Sequence, residues 1–163
     1  MIQVRKMTEA DLEEAGKTFI AGRTFMRRNG NHVQWVNGYP SETDAKNDIE
    51  NGNGYVIEEK GEILAVFAMI PGEEATYRYI EGRWSSDMPY CTIHRLASNG
   101  KRPHIADICF DFCKTQCAYL RVDTHEDNNV MQNAILRNDF KKCGTIYLTD
   151  GSPRIAFDYI SKG

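Results

Sequence analysis

YCTIHRLASNGKRPHIADICFDFCKTQCAYLRVDTHEDNNVMQNAILRNDF, residues 90–140, carries the pattern that decides the fold. Tyr90 to Ala97 is an apolar stretch of strand length, and Ser98 to Pro103 is rich in turn residues. The spacing predicts a helix from Ile105 to Cys117, with Ile108, Cys109 and Phe112 toward the core. Tyr119 to Thr124 is a second strand, and Asn128 to Asn138 a second helix that ends before Phe140. A strand, a crossover helix and another strand imply a parallel pair.

Upstream, Ile2 to Met7 alternates apolar and polar residues as a half-buried strand does. Thr8 to Asp11 is a capping box with aspartate in place of glutamate, and Leu12, Ala15, Phe19, Gly22 and Met26 continue at helical spacing to about Arg28. After a linker from His32 to Pro40, Ser41 and Asp44 cap a short helix that Gly52 stops. Tyr55 to Glu59 and Glu62 to Ile70 form a hairpin through Lys60-Gly61, broken at Pro71-Gly72. Residues 73–89 give no firm pattern. Thr145 to Thr149 and Ile155 to Ile160 close the chain as a hairpin through Asp150-Gly151. The expectation is one domain over residues 1–163, an α/β (α+β) mixed sheet with helices on both faces.

At 163 residues, 41% hydrophobic and 26% charged, the chain is suited to one globular core. A net charge of -3 argues against a general nucleic-acid binder, which needs a dense basic face. No apolar run is long enough to span a membrane. The five cysteines lack zinc-ribbon spacing and sit among apolar residues, as reduced thiols of a cytoplasmic protein do. Cys109, Cys113 and Cys117 share one helix face but span two turns, which suits packing better than metal binding. The polar run His125-Glu126-Asp127 reads as a turn.

The joint after Ile93-His94-Arg95-Leu96-Ala97 gathers free backbone N–H groups at a helix start, where a phosphate can be held. With the turn Val122 to Asn128 (VDTHEDN) and the segment Gln34 to Pro40, the chain resembles the GNAT superfamily of N-acetyltransferases, in particular a bacterial subgroup with an IHR strand. The resemblance spans essentially the full length. It implies acetyl-CoA as cosubstrate, a splayed central sheet, a small-molecule amine as acceptor and the possibility of a homodimer.

The same resemblance aligns Lys101-Arg102-Pro103-His104-Ile105-Ala106 with the family's pyrophosphate loop, Gln/Arg-x-x-Gly-x-Gly/Ala. Lys101 keeps a basic first position and Ala106 satisfies the last, whereas His104 replaces the central glycine and Pro103 lacks an N–H. Either Lys101, Arg102 and His104 offset the change with side-chain charge, or the loop has lost its ligand. The resemblance also implies that the main chain of Arg95, Leu96 and Ala97 pairs with the pantetheine arm, and that Asn128 contacts it while capping its helix.

Acetyl transfer needs a neutral amine, a polarised thioester carbonyl and a proton for the thiolate. His94 is the candidate base, with a hydrogen-bonded sheet histidine as the alternative. The tyrosine with which many members protonate the thiolate is Ile135 here, and Asp139 stands in place of a glycine before Phe140. Trp35, Tyr39, Tyr77, Tyr79 and Trp84 lie in loop-rich segments, where they either line an acceptor pocket or fill satellite core; Trp35, Tyr39 and Trp84 are the candidates for binding the acceptor. Glu42 and Asp44 either attract a cationic amine or cap a helix. The leading expectation is an N-acetyltransferase. The alternative is a catalytically weakened module of the same fold that binds acyl-CoA or a protein partner.

Overall fold

Ile2–Lys6 (β1), Gly54–Glu59 (β2) and Glu62–Pro71 (β3) pair antiparallel, the last two turning at Lys60-Gly61. The structure, a computed structural model, describes residues 1–162. Leu12–Arg28 (α1) follows a 3-10 turn at Glu9–Asp11, where the Thr8 N–H donates to Asp11 Oδ2 over 2.7 Å. Glu42–Glu50 (α2) starts the same way, with the Ser41 N–H donating to Asp44 Oδ2 over 2.8 Å. Aspartate therefore serves as the reciprocal acceptor in both capping boxes, and Asp44 is engaged as a cap.

The chain then contributes Glu81–Gly82 (β4), Cys91–Ser98 (β5), Ile105–Gln116 (α3), Tyr119–Thr124 (β6), Asn129–Arg137 (α4), Lys141–Tyr147 (β7) and Pro153–Ile160 (β8). All eight strands form one sheet in the order β1-β2-β3-β5-β6-β8-β7-β4. Only β5 and β6 run parallel, as their connection through α3 requires. This is the mixed sheet that the sequence implies.

Alternation sorts the two faces. Ile57, Phe67, Ile93, Leu120 and Val122 meet Cys109, Phe110, Cys113 and Ile135 of α3 and α4. Val56, Val66 and Ala97 meet Ala15 and Phe19 of α1 and Ala45 of α2 on the other face. Helices thus cover both sides. The inner face of α3 differs from the expected one: Cys109, Phe110 and Cys113 are buried, while Ile108 and Phe112 are only half-buried at its flank. Neither set breaks helical spacing, and the sheet's position selects between them.

Two further departures lie at the β7–β4 edge of the sheet. Strand β7 begins at Lys141, four residues before the expected Thr145, and pairs with β8 through an irregularity between Lys142 and Gly144. β4, absent from the sequence reading, pairs Glu81 with Thr145 and Gly82 with Gly144. A Cβ on Gly82 would lie 2.2 Å from the Cys143 oxygen, and one on Gly144 would lie 2.1 Å from the Glu81 oxygen. Only two facing glycines let those backbones come so close.

Candidate functional site

β5 and β6 start as neighbours and then part. Cys91 pairs with Leu120 and Thr92 with Arg121, after which the two strands share no further register. On its other edge β5 is bulged. His94 lies opposite Ala68 and Ala97 opposite Val66, so Arg95 and Leu96 together oppose Phe67. Arg95 takes φ 55°, and the extra residue brings Ile93 and Leu96 to the same face. Past the last paired residues a cavity of about 580 Å³ opens at the ends of both strands. Arg95, Leu96 and Ala97 all lack a β6 partner; Arg95 and Leu96 line the cavity, while Ala97 lies outside its lining, buried against α1.

Of the expected site residues, the cavity gathers His94, Arg95, Leu96, Asn128, Trp35 and Tyr39. The Arg95 guanidinium turns away from the gap and clasps Asp48 of α2 at 2.6 and 3.2 Å, with the Tyr39 hydroxyl at 3.2 Å. Burial raises the Asp48 carboxyl above its ordinary value, and Arg95 opposes that rise. The pair ties the connection between α1 and α2 to the bulge. Trp35 sits edge-on to Phe19 at 6.2 Å beneath the same connection.

His94 lines the cavity with Nε2 3.5 Å from Glu74 Oε1. Glu74 also accepts from the Thr76 N–H at 2.7 Å and its hydroxyl at 2.8 Å. His94, followed by the Thr76 bonds, holds the Glu74 carboxyl down at about 2. Nearby, the Tyr77 hydroxyl donates to Asp123 Oδ2 over 2.6 Å. Tyr77 is fully buried, and burial followed by the Asp123 charge pushes its hydroxyl well above the ordinary range, so it remains a donor. Burial lowers the Arg154 guanidinium, while Asp123 and Asp150 raise it.

Asn128 caps α4 by accepting the Met131 N–H at 3.1 Å and donates to Gln34 Oε1 at 3.3 Å. His125 Nδ1 accepts the Asp127 N–H at 3.0 Å, which leaves the ring proton on Nε2 at the cavity wall. The Thr124 hydroxyl is buried in the same wall and has no partner among the described residues. Glu74, Asp123, His125 and Thr124 escaped the sequence reading as site residues. His125 had been read only as part of a turn, and no spacing signals the 46 residues between Tyr77 and Asp123.

The phosphate-loop candidates lie at the start of α3, outside the cavity lining. His104 sits at φ 63°, ψ 23°, the left-handed region that a glycine would otherwise fill. The substitution therefore retains the turn, and the first N–H groups of the helix, from Ile105 and Ala106 on, head it without intrahelical acceptors. Ile105 is buried and Ala106 half-buried against the core. Lys101 pairs with Glu62, and Arg102 Nε donates to Glu59 at 3.0 Å. Both cations are thus tied to the β2–β3 hairpin.

The remaining candidate falls elsewhere. Trp84 packs on Tyr77 and donates its indole N–H to the Tyr77 carbonyl at 3.0 Å, lining a separate smaller cavity. Ile135 is completely buried under α4, so the α4 position of the family's tyrosine does not open to the cleft. Among the described residues no helix is long and apolar enough to cross a membrane.

No family model and no curated protein matches the sequence. Solved structures do. A GNAT-family acetyltransferase from Streptococcus agalactiae is 30% identical, with TM-score 0.88, 99% of this chain and 96% of that chain covered. A GNAT-family acetyltransferase from Bacillus cereus superposes at TM-score 0.69 with 17% identity over 100% and 99% of the two chains. An aminoglycoside acetyltransferase in complex with coenzyme A and kanamycin shares the fold at TM-score 0.65 and 16% identity, over 98% and 95% of the chains. With a splayed β5–β6 pair, a bulged strand bordering it and near-complete alignment to a relative at 30% identity, this chain belongs to the GNAT family of acetyltransferases.

Proposed function

We propose that the protein transfers the acetyl group of acetyl-CoA, the family's cosubstrate, directly to a small-molecule amine. The observation that carries this reading is the edge of Arg95 to Ala97, left without a β6 partner beside a 580 Å³ cavity whose lining includes the Glu74–His94 pair. The residues present fit the cosubstrate. An extended amide arm can add to the open edge as a strand would, and Asn128 Nδ2 and the orphaned Thr124 hydroxyl offer further polar contact. Acetyl-CoA supplies an activated acyl group; the protein supplies position and proton traffic.

His94 accepts the proton of the incoming ammonium. With Nε2 turned to Glu74, Nδ1 is the free base, and the Glu74 carboxylate stabilises the imidazolium that results. A main-chain N–H of β5 polarises the acyl carbonyl. His125 Nε2–H, at the cavity wall, takes the proton-donor role that Ile135 cannot fill. Trp35 and Tyr39 form the acceptor wall, and the Glu74 and Asp123 carboxylates favour a cationic amine. The first N–H groups of α3 would hold the pyrophosphate, with Lys101, Arg102 and His104 as its neighbouring side chains.

The test combines calorimetry and turnover. Acetyl-CoA should bind with micromolar affinity, and thiol release should appear with some member of a panel of polyamines, aminoglycosides and arylalkylamines. Binding without release on any amine would favour a second reading, a module that holds acyl-CoA without turnover. The burial of Ile135, which removes the α4 proton donor, supports that reading. Absence of acetyl-CoA binding would sink both.

A further inference from the structure

Arg121 is 6% exposed and makes no ion pair among the described residues. It lies on the same face of β6 as Tyr119 and Asp123, the face away from α3 and α4. Its cross-strand neighbour Asp158 spends its oxygens on the Ser85 N–H, the Ser85 hydroxyl and the Tyr119 hydroxyl, each at 2.8 Å. Asp158 therefore makes no direct bond to Arg121 and is linked to it by the Tyr119 hydroxyl, which accepts from Arg121 Nε at 3.1 Å. The other polar partner is the Ser86 carbonyl, 2.9 Å from Nη2. Of the five N–H donors of a guanidinium, these two contacts leave three.

The guanidinium lies between the rings of Trp84 and Tyr90, at 4.1 and 4.0 Å from their centroids. Stacking of this kind stabilises a desolvated cation, but it occupies the faces of the group and leaves its edge. Arg121 lines a cavity of about 380 Å³ together with Tyr77, Trp84, Met88 and Tyr90. The remaining N–H groups lie in the guanidinium plane, the arrangement that a carboxylate satisfies with two parallel bonds. The other charges on the cavity are Asp87 and the exposed Glu73–Arg78 pair, which is closed on itself at 2.7 Å.

We infer that this second cavity, on the opposite side of Tyr77 from the catalytic cleft, binds a small carboxylate with an aromatic or apolar body through Arg121. The carboxylate bonds to the free edge of Arg121, and its body packs on Trp84, Tyr90 and Met88. The occupant abuts the Tyr77 ring, whose hydroxyl holds Asp123 in the acceptor cleft. The inference stands on the cavity alone and is independent of the reaction proposed for the main cleft.

The protein contains two tryptophans, Trp35 in the cleft and Trp84 in the second cavity. Their indole N–H resonances report the two sites separately, and Trp35→Phe assigns them. Titrating the full-length protein with benzoate should shift the Trp84 signal saturably, with a Kd on the order of 1 mM or tighter. Trp35 should stay unmoved, and benzylamine should leave Trp84 unmoved as well. Arg121→Lys, which retains charge but not the bidentate edge, should weaken benzoate at least tenfold. A Trp84 signal that ignores benzoate, or that follows benzylamine instead because Asp87 governs the cavity, would overturn the inference. The wild-type titration decides the matter even if Arg121→Lys fails to fold.

Discussion

Tyr77 and Asp123 are joined across the sheet by a 2.6 Å hydrogen bond from a fully buried hydroxyl to a half-buried carboxylate. Hydrogen bonds to charged groups contribute about 1.5–3 kcal/mol. Tyr77→Phe should lower the unfolding free energy by about 2 kcal/mol, measured by urea denaturation. It should also raise the KM for a cationic amine severalfold while leaving acetyl-CoA affinity unchanged. Equal loss of both affinities would show that Tyr77 supports the fold rather than the acceptor end.

Glu74 gives a pH-dependent prediction. Its folded carboxyl lies at about 2, below the ordinary glutamate value of 4.5. The stability it contributes is present above about 4.5 and is lost as pH falls from there toward 2. Glu74→Gln should therefore be less stable than the parent at neutral pH and converge on it near pH 2. Catalysis should fall about tenfold for Glu74→Gln and about a hundredfold for His94→Gln, read as kcat/KM. Unchanged rates in His94→Gln would return that residue to a purely structural role.

The start of α3 yields a gain-of-affinity prediction. Glu59 and Glu62 restrain Arg102 and Lys101 in surface ion pairs, which are worth about 0–1 kcal/mol each. Freeing both cations with Glu59→Gln and Glu62→Gln should tighten coenzyme A binding about threefold to tenfold and steepen its salt dependence. Calorimetry at two ionic strengths measures both effects. No change in affinity or salt slope would place the phosphates away from these side chains.

His104 is the fourth test. A left-handed residue other than glycine stores roughly 1 kcal/mol, and a β-branched side chain tolerates that region worst. His104→Gly should keep coenzyme A affinity within a few-fold and leave stability close to the parent's. His104→Val should lose about 1–2 kcal/mol and weaken binding roughly tenfold as the turn shifts. If glycine weakens binding as much as valine, the imidazole itself is a phosphate ligand.

Elements with a strong local signature were legible in advance. Both capping boxes, the Lys60-Gly61 hairpin and the parallel β5–β6 crossover follow from residues adjacent in the chain. The extent of β7 and the existence of β4 did not, because each rests on the approach of Gly82 to Gly144 across the sheet. The site divides in the same way. His94 stood out as an imidazole on β5, whereas Arg95 and Asn128 followed from the resemblance to the GNAT superfamily. Glu74, Asp123 and His125 enter through tertiary pairing, and Trp84, an aromatic in a loop like Trp35, went to a different cavity. Aromatic content shows that a loop packs, not on which side of the sheet it does so.

The bulge at Arg95 gives one residue two duties. Its main chain borders the donor gap while its guanidinium fastens α2 and Tyr39 on the acceptor side. Under the proposed reaction both ends of the cleft are thereby referred to a common fiducial point, the bulge itself. In the proposed reaction, one backbone unit would set the spacing of donor and acceptor, rather than the agreement of two independent walls.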